Sequence, residues 1–192
     1  MCIRDRLSGS SIVTQPEEVR RKIGFLTSEL KLEDFFTPDY LYDFFSELYG
    51  IPTDRRDARK RMLFARFGIQ EFAQVRVRDL STGMKQKVSL VISLVQDPEI
   101  IIFDEPTNGL DILTAKVVTD FLLDLKEQGK TIIISTHIFS LVEKICDRVG
   151  IIINGRMAAC EDLRTLCGDK SLEDRFFEIY EAVNGEEENH DK

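Results

Sequence analysis

Hydrophobic residues recur at helical spacing in the first half of the chain and form short unbroken runs in the second half. In the first half, the spacing predicts three helices, over about residues 38–48, 54–67 and 82–96. Thr37-Pro38 suits the start of the first helix, and Gly68 and Asp97-Pro98 suit the ends of the other two. Residues 7–28 are expected to form short strands and turns at best.

Two runs in the second half, at residues 100–103 and 131–134, are hydrophobic at almost every position. Such runs are typical of strands buried on both faces of a parallel sheet. A helix is expected after each run, over about residues 114–128 and 140–146, and Asn154-Gly155 predicts a hairpin near the end. Strands that alternate with helices indicate an α/β fold with a parallel sheet.

Composition and charge narrow the class of protein. The 192 residues are 43% hydrophobic and 31% charged, which is typical of a globular chain long enough for one domain. The net charge is −8, and residues 171–192 carry −6 of it, with eight acidic and two basic side chains. The nearly neutral remainder argues against a general nucleic-acid binder, and we expect the acidic end to be solvated. No apolar run approaches a membrane span, and the four cysteines lack the Cys-x-x-Cys spacing of zinc sites.

The strongest chemical signal lies where the first apolar run ends, in Asp104, Glu105 and Pro106. A buried strand would bring both carboxylates to the carboxyl edge of the sheet, where α/β proteins bind their ligands. In a phosphate-hydrolysing site, one carboxylate orients Mg²⁺ and the next polarises the attacking water. The alternative is a strand that ends in an acidic turn stopped by proline.

Three other segments carry weaker signals, and each also has an ordinary structural interpretation. Ser81-Thr82-Gly83 begins a predicted helix, which suits either a phosphate-binding helix terminus or a common N-cap. Asn108–Asp111 looks like a turn. His137, one of two histidines, follows the second apolar run and would reach the same sheet edge as Glu105, unless it is a structural residue.

In this order and at these spacings, the four segments resemble the ATP-binding subunit of ABC transporters. Leu80–Met84 is similar to the signature motif, Ile100–Glu105 to Walker B with its catalytic glutamate, Gly109–Asp111 to the D-loop, and His137 to the H-loop histidine. The resemblance covers about residues 7–165, and the signature segment looks most like exporter ATPases of the sodium-extrusion and drug-efflux type. It implies a P-loop NTPase fold with an inserted helical subdomain.

The resemblance also implies an ABC-type ATPase with roles for these residues around ATP and Mg²⁺. Ser81-Thr82-Gly83 would contact the γ-phosphate of ATP held by the opposite subunit, in a head-to-tail homodimer or a pair of ATP-binding subunits. Glu105 would be the general base, and His137 would contact the γ-phosphate. Asp104 would support Mg²⁺ directly or through water. Asp111 would couple the two sites across the interface.

For partners, the resemblance implies an integral membrane permease subunit and no nucleic acid. The helical half would dock onto this permease, which places the protein in the cytoplasm, peripheral at the inner face of the plasma membrane. Four phenylalanines are expected mainly in the core, although some of them could line the groove for the permease; they are Phe35, Phe36, Phe44 and Phe45. A basic cluster on the second helix is interpreted as a solvated helix face, not as a contact for nucleic acid or anionic lipid. It consists of Arg55, Arg56, Arg59, Lys60, Arg61 and Arg66.

Two parts of the family pattern do not match. Ser28 and Glu29 stand where the Q-loop glutamine is expected, and the resemblance would place Ser28 beside the metal. No run of residues before Gly24 fits the Walker A pattern G-x-x-x-x-G-K-[ST], which cradles the phosphates. We therefore interpret the chain as truncated before the Q-loop region, without the first strand and the Walker A loop, and expect it to be inactive alone.

This interpretation divides the chain into four parts. Residues 1–30 are a remnant of the N-terminal strands and the Q-loop, 31–97 a helical signature subdomain, 98–170 the α/β catalytic core, and 171–192 an acidic tail. Two alternatives stay open, a non-catalytic interaction module and an ABC-type ATPase outside transport. Chromosome-maintenance ATPases are disfavoured, because only 53 positions without heptads separate Ser28 from Ser81.

Overall fold

The computed structural model of the chain describes residues 6–27 and 32–190, with the side chains of residues 186–190 excepted. Contacts divide the chain into two units, Met1–Ser135 and Thr136–Lys192. Ser28 and Glu29, at the expected Q-loop position, lie outside the described residues. None of the helices within the described ranges is long and apolar enough to cross a membrane.

The first unit contains a three-stranded parallel sheet and five α-helices among its described residues. Its elements, in chain order, are β1 (Arg6–Leu7), β2 (Ser10–Ser11), α1 (Pro16–Lys22), β3 (Ile23–Leu26), α2 (Pro38–Leu48), α3 (Thr53–Phe67), α4 (Thr82–Ser93), β4 (Ile100–Asp104), α5 (Ile112–Glu127) and β5 (Thr131–Ser135). Short 3-10 helices cover Ile69–Phe72 and Val77–Asp79. The sheet has the order β3-β4-β5, whereas β1 and β2 form a separate antiparallel ribbon. This arrangement confirms the predicted α/β fold with a parallel sheet.

Local signals in the sequence account for the helix ends of this unit. The Thr37 hydroxyl accepts a hydrogen bond from the Tyr40 N–H at 3.2 Å, and Pro38 occupies the first turn of α2. Gly68 ends α3 with a left-handed φ of 65°, a conformation that glycine adopts without steric cost. The three helices predicted in the first half are therefore confirmed, although α4 ends three residues earlier than expected.

Helix α1 contradicts the expectation of only strands and turns before residue 28. It spans seven residues and buries only Val19, so the sequence has no helical periodicity to reveal it. Its charges nevertheless favour a helix, because Glu17 and Glu18 lie in the first turn and three basic residues lie in the last turn. Both sets complement the partial charges of the helix termini.

The parallel sheet is buried on one face and largely uncovered on the other. Ile101 and Phe103 of β4 are 0% exposed and face the core of the unit. The strand register aligns Phe25, Ile102 and Ile133 across the opposite face, where Phe25 is 55% and Ile133 is 53% exposed. The expectation that the run at residues 131–134 is buried on both faces is therefore wrong, because no residue of β5 is fully buried and Ile133 lies on the uncovered face.

Most of the basic cluster on α3 is engaged in ion pairs within the first unit. These pairs are Arg56 with Asp43, Glu47 and Asp57, Arg59 with Asp97, Lys60 with Asp39 and Asp43, and Arg66 with Asp124. They connect α3 with α2, with the turn after α4 and with α5. The interpretation of the cluster as a solvated face is wrong for Arg56, Arg59 and Lys60, which are half-buried. As expected, the other three, Arg55, Arg61 and Arg66, are exposed, although Arg66 pairs with Asp124.

The second unit combines an antiparallel hairpin with three helices among its described residues. Its elements are α6 (Phe139–Ile145), β6 (Arg148–Ile153), β7 (Arg156–Asp162), α7 (Leu163–Cys167) and α8 (Leu172–His190). The hairpin predicted at Asn154-Gly155 is confirmed, and both residues have positive φ, at 50° and 74°.

The acidic C-terminal segment is a packed helix and not simply a solvated tail. Leu172 is 2% exposed and packs with Ile151, Ile153 and Leu166 in a core cluster. Phe176, Ile179 and Val183 of α8 pack against the same cluster. Their spacing of three and four residues places them on one face of the helix. Charge dominates this segment in a count of residue types, and such a count does not show the spacing of its apolar side chains.

Candidate functional site

The end of β4 presents two acidic residues beside the end of β5. Asp104 is the last residue of β4 and pairs in register with Ser135, the last residue of β5. The Ser135 hydroxyl donates a hydrogen bond to Asp104 Oδ1 at 2.6 Å. An O–H···O⁻ bond of this length is charge-assisted and stronger than a bond between neutral groups. The Asp104 carboxylate is therefore held at the carboxyl edge of the sheet.

Glu105 occupies a strained turn next to Asp104. Its φ of 49° lies in the left-handed region, which costs a non-glycine residue on the order of 1–3 kcal/mol. Its N–H donates to the Ser135 carbonyl at 2.8 Å, and its carbonyl accepts from the Asn108 N–H at 3.1 Å. Backbone bonds on both sides thus hold the residue in place. Strained residues of this kind cluster at functional sites.

The signature segment forms the N-terminus of α4. The Ser81 hydroxyl accepts from the Met84 N–H at 3.3 Å, so the ordinary N-cap interpretation is correct. Capping does not exclude anion binding, because the first N–H groups of a helix have no acceptor inside it. At Gly83, the nearest described atom to an added Cβ would be Leu110 Cδ2, at 4.0 Å. Nothing in the described part of the chain therefore requires glycine at position 83.

Asp111 caps the N-terminus of α5. Its Oδ1 accepts from the N–H groups of Leu113 and Thr114, both at 3.0 Å, and its Oδ2 accepts from the Thr114 hydroxyl at 2.6 Å. These bonds, the one from the Thr114 hydroxyl foremost, lower the pKa of Asp111. The carboxylate thus has a structural role inside the chain, and the coupling role stays a prediction.

His137 belongs to the second unit, in the chain segment between β5 and α6. Its proposed contact with a γ-phosphate stays a prediction. Within the first unit, the structure brings Asp104 and Glu105 together with Ser135, a residue that sequence reasoning did not select. The two apolar runs have equal length, and a parallel register between them aligns the residues that directly follow, Asp104 and Ser135. This pattern in the sequence could have identified Ser135.

The residues at the end of β4 fit Mg²⁺ that binds together with a nucleotide. Oxygen ligands suit Mg²⁺, which proteins bind through one or two carboxylates plus phosphates and water. No group of three or more His, Cys, Asp or Glu side chains within the described residues could hold a metal ion. Asp104 therefore suits a site where phosphates and water supply the other metal ligands, rather than a site made of protein ligands alone. For ATP the fit is partial, because the terminus of α4 suits a phosphate but the 192 residues contain no Walker A run.

An apolar groove of about 830 Å³ lies between α2, α4 and the uncovered face of the sheet. Its lining includes the stacked rings of Phe36, Tyr40 and Phe44, which are 39%, 48% and 47% exposed, and Phe35 nearby is 72% exposed. The expectation that these phenylalanines lie mainly in the core is wrong. Helix α2 turns a different face to the core, with Leu41 and Tyr42 buried.

Comparison with known proteins supports the same family. The family model described as ABC transporter matches residues 4–108. The chain is 38% identical over 169 residues to the ABC transporter ATP-binding protein NatA of Bacillus subtilis (strain 168), which covers 88% of this chain and 69% of that protein. It is 36% identical over 118 residues to a fluoroquinolones export ATP-binding protein of Mycobacterium tuberculosis (strain CDC 1551 / Oshkosh), over 62% of this chain and 38% of that protein.

The fold has a solved counterpart as well. The structure of an ATP binding subunit of an ABC transporter superposes with a TM-score of 0.85 at 27% identity, over 91% of this chain and 75% of that one. The chain thus spans about two thirds of NatA and less than half of the mycobacterial relative. The family match covers more than half of the chain and includes residues 80–84 and 100–105. The chain therefore belongs to the ATP-binding proteins of the ABC transporter family.

Proposed function

We propose that this chain belongs to the ATP-hydrolysing subunit of an ABC exporter, which couples ATP hydrolysis to transport through a separate membrane subunit. The observation that carries the proposal is the pair of carboxylates at the end of β4, with Asp104 held by Ser135 and Glu105 held in a strained turn. The similarity to a fluoroquinolones export protein favours export over uptake.

Each site residue has one task in this proposal. Bound Mg²⁺ supplies positive charge that stabilises the phosphate oxygens. Asp104 holds the metal directly or through water, and Glu105 accepts the proton of the attacking water. His137 contacts the γ-phosphate. The N–H groups of Ser81-Thr82-Gly83 bind the γ-phosphate of ATP on the opposite subunit, which requires a homodimer or a pair of ATP-binding subunits.

The surface beside Asp111 supports such a subunit interface. Ile112 and Leu113, which open α5, are 88% and 77% exposed, although both are large apolar side chains. Exposed apolar side chains that adjoin a functional turn are typical of interaction surfaces. In the proposed pair of subunits, Asp111 would keep this turn in shape through its cap and couple the two sites.

The groove beside α2 is the proposed docking place of the permease. Its exposed aromatic rings suit the apolar face of a helix from the membrane subunit. This contact would hold the protein, which would lie in the cytoplasm, at the inner face of the plasma membrane as a peripheral subunit. Tyr40→Ala and Phe44→Ala are expected to reduce co-purification with the permease. Phe35→Ala, at an exposed ring outside the groove lining, is the control, and equal loss in all three variants would contradict the assignment.

The decisive experiment compares ATP hydrolysis by two versions of the protein. One version is this 192-residue chain, and the other is extended upstream by a complete strand and a Walker A loop. We expect Mg²⁺-dependent turnover in the extended version only, and we expect Glu105→Gln to abolish it. Turnover by the short chain that disappears in Glu105→Gln would refute the need for the upstream segment. An extended version that binds the permease but never hydrolyses ATP would favour a non-catalytic interaction module.

A further inference from the structure

Ser135 contacts both acidic residues at the end of β4 through two different groups. Its hydroxyl donates to Asp104 Oδ1 at 2.6 Å, and its backbone carbonyl accepts the Glu105 N–H at 2.8 Å. Both contacts follow from the parallel register, which places Ser135 opposite Asp104. One residue thus connects the metal-binding carboxylate and the general base of the proposed reaction.

We propose that Ser135 is a positioning residue for Mg²⁺-dependent hydrolysis, whose hydroxyl orients the Asp104 carboxylate toward the metal. The inference rests on the proposed function of the β4 carboxylates. A carboxylate turns easily about its last torsion, so a hydrogen bond to one oxygen selects an orientation. The remaining lone pairs of a carboxylate can still bind a metal or its water.

The exposure of Ser135 distinguishes positioning from a purely structural role. Ser135 is exposed, so water could satisfy its hydroxyl, and loss of the bond to Asp104 would leave no buried polar group unpaired at this residue. The hydroxyl instead makes a short bond to an ionised acceptor. Partners of this kind, one step removed from a metal, typically change metal affinity 10–100-fold when they are removed.

Ser135→Ala separates the two contacts, because it removes the hydroxyl and keeps the carbonyl that holds Glu105. Ser135→Thr is the conservative variant, because it restores a hydroxyl on the same strand. The matched control is Thr131→Val, which removes a hydroxyl from the other end of β5 on the same face of the sheet. All three variants keep the strand and differ in whether a hydroxyl can reach Asp104.

The contact itself is testable on the 192-residue chain, without nucleotide. Urea unfolding of Ser135→Ala, Asp104→Asn and the double variant forms a double-mutant cycle. If the hydroxyl binds the carboxylate, the midpoint shift of the double variant will be smaller than the sum of the two single shifts. Additive shifts would overturn the inference.

The role in metal binding is testable on the version extended by a Walker A loop. Electron paramagnetic resonance measures its Mn²⁺ affinity in the presence of a non-hydrolysable ATP analogue. We expect about tenfold weaker Mn²⁺ binding in Ser135→Ala, recovery in Ser135→Thr and no change in Thr131→Val. The Mg²⁺ concentration for half-maximal turnover should rise similarly, with kcat at saturating Mg²⁺ within about twofold of the parent. A Ser135→Ala affinity within twofold of the parent would overturn the inference.

Failure of the proposed function has a different signature. If the extended parent binds the analogue but shows no Mg²⁺-dependent turnover, the proposed ATPase function fails, whereas the Mn²⁺ comparison still decides the role of Ser135. A parent that binds no analogue at all would refute both proposals.

Discussion

Gly24 of β3 offers a sharp test of the packing around the sheet. A Cβ added at this position would lie 2.6 Å from the Ser93 carbonyl oxygen and 2.7 Å from Pro98 Cγ. Non-bonded carbon atoms prefer separations of roughly 3.5–4.0 Å, so Gly24→Ala requires a displacement approaching 1 Å. Neither neighbouring atom is the end of a flexible side chain, and the end of α4 and the following turn would have to move.

The cost of this displacement follows from known overpacking. Overpacked cores lose about 1–3 kcal/mol, and two contacts with stiff groups place Gly24→Ala near the upper limit. Replacing glycine also reduces the conformational entropy of the unfolded chain, which raises the free energy of unfolding by about 0.4–1 kcal/mol. The net expectation is a loss of about 2 kcal/mol, or roughly 4–8 °C in Tm for a chain of this size.

Tyrosine fluorescence during urea unfolding is a suitable assay. The chain has no tryptophan, and three of its four tyrosines, Tyr40, Tyr42 and Tyr49, lie in the first unit with Gly24. Gly83→Ala is the matched control, because its Cβ would meet no described atom closer than 4.0 Å. We expect this control to be as stable as the parent or slightly more stable. Equal stability of Gly24→Ala and Gly83→Ala would refute the packing argument.

Three further predictions concern buried, charged and exposed groups of the first unit. Tyr42 is 1% exposed, and burial raises its pKa to about 12. Because its hydroxyl has no hydrogen-bond partner among the described residues, Tyr42→Phe should raise the free energy of unfolding by about 1 kcal/mol. A lower free energy of unfolding in urea would contradict this prediction. Burial opposes ionisation of Asp97, but Lys130 and Arg59 outweigh it and lower its pKa below 3.8. The folded state therefore binds fewer protons, so the contribution of Asp97 is complete above pH 3.8 and is lost as the pH falls through the lowered pKa. Asp97→Asn, which tolerates the positive φ at this site, should show a smaller loss of stability in acid than the parent, and identical pH profiles would exclude the effect. Ile133→Lys should reduce self-association through the exposed sheet face and edge, as measured by light scattering, and unchanged association would exclude this face.

Local patterns in the sequence determined most elements and the chemistry at the end of β4. The apolar run at residues 100–103 predicted a strand, and Asp104 and Glu105 directly after it predicted a ligand-binding edge. Caps such as Thr37 and Gly68 located helix ends because they act on neighbouring backbone groups, which sequence spacing records. The same patterns did not predict α1, which has few apolar residues, or the packing of α8, whose apolar residues lie among many charged ones.

Tertiary structure decided which distant residues meet. The register between β4 and β5 joins Asp104 to Ser135, which lies 31 positions further along the chain. Likewise, Arg59 and Arg66 of α3 pair with acidic side chains in the turn after α4 and on α5. Phe25 and Ile133 are exposed because nothing in the described part of the chain covers their face of the sheet. Periodicity reports which side chains share a face of one element. It does not report what packs against that face, because contacts between elements depend on how the whole chain folds.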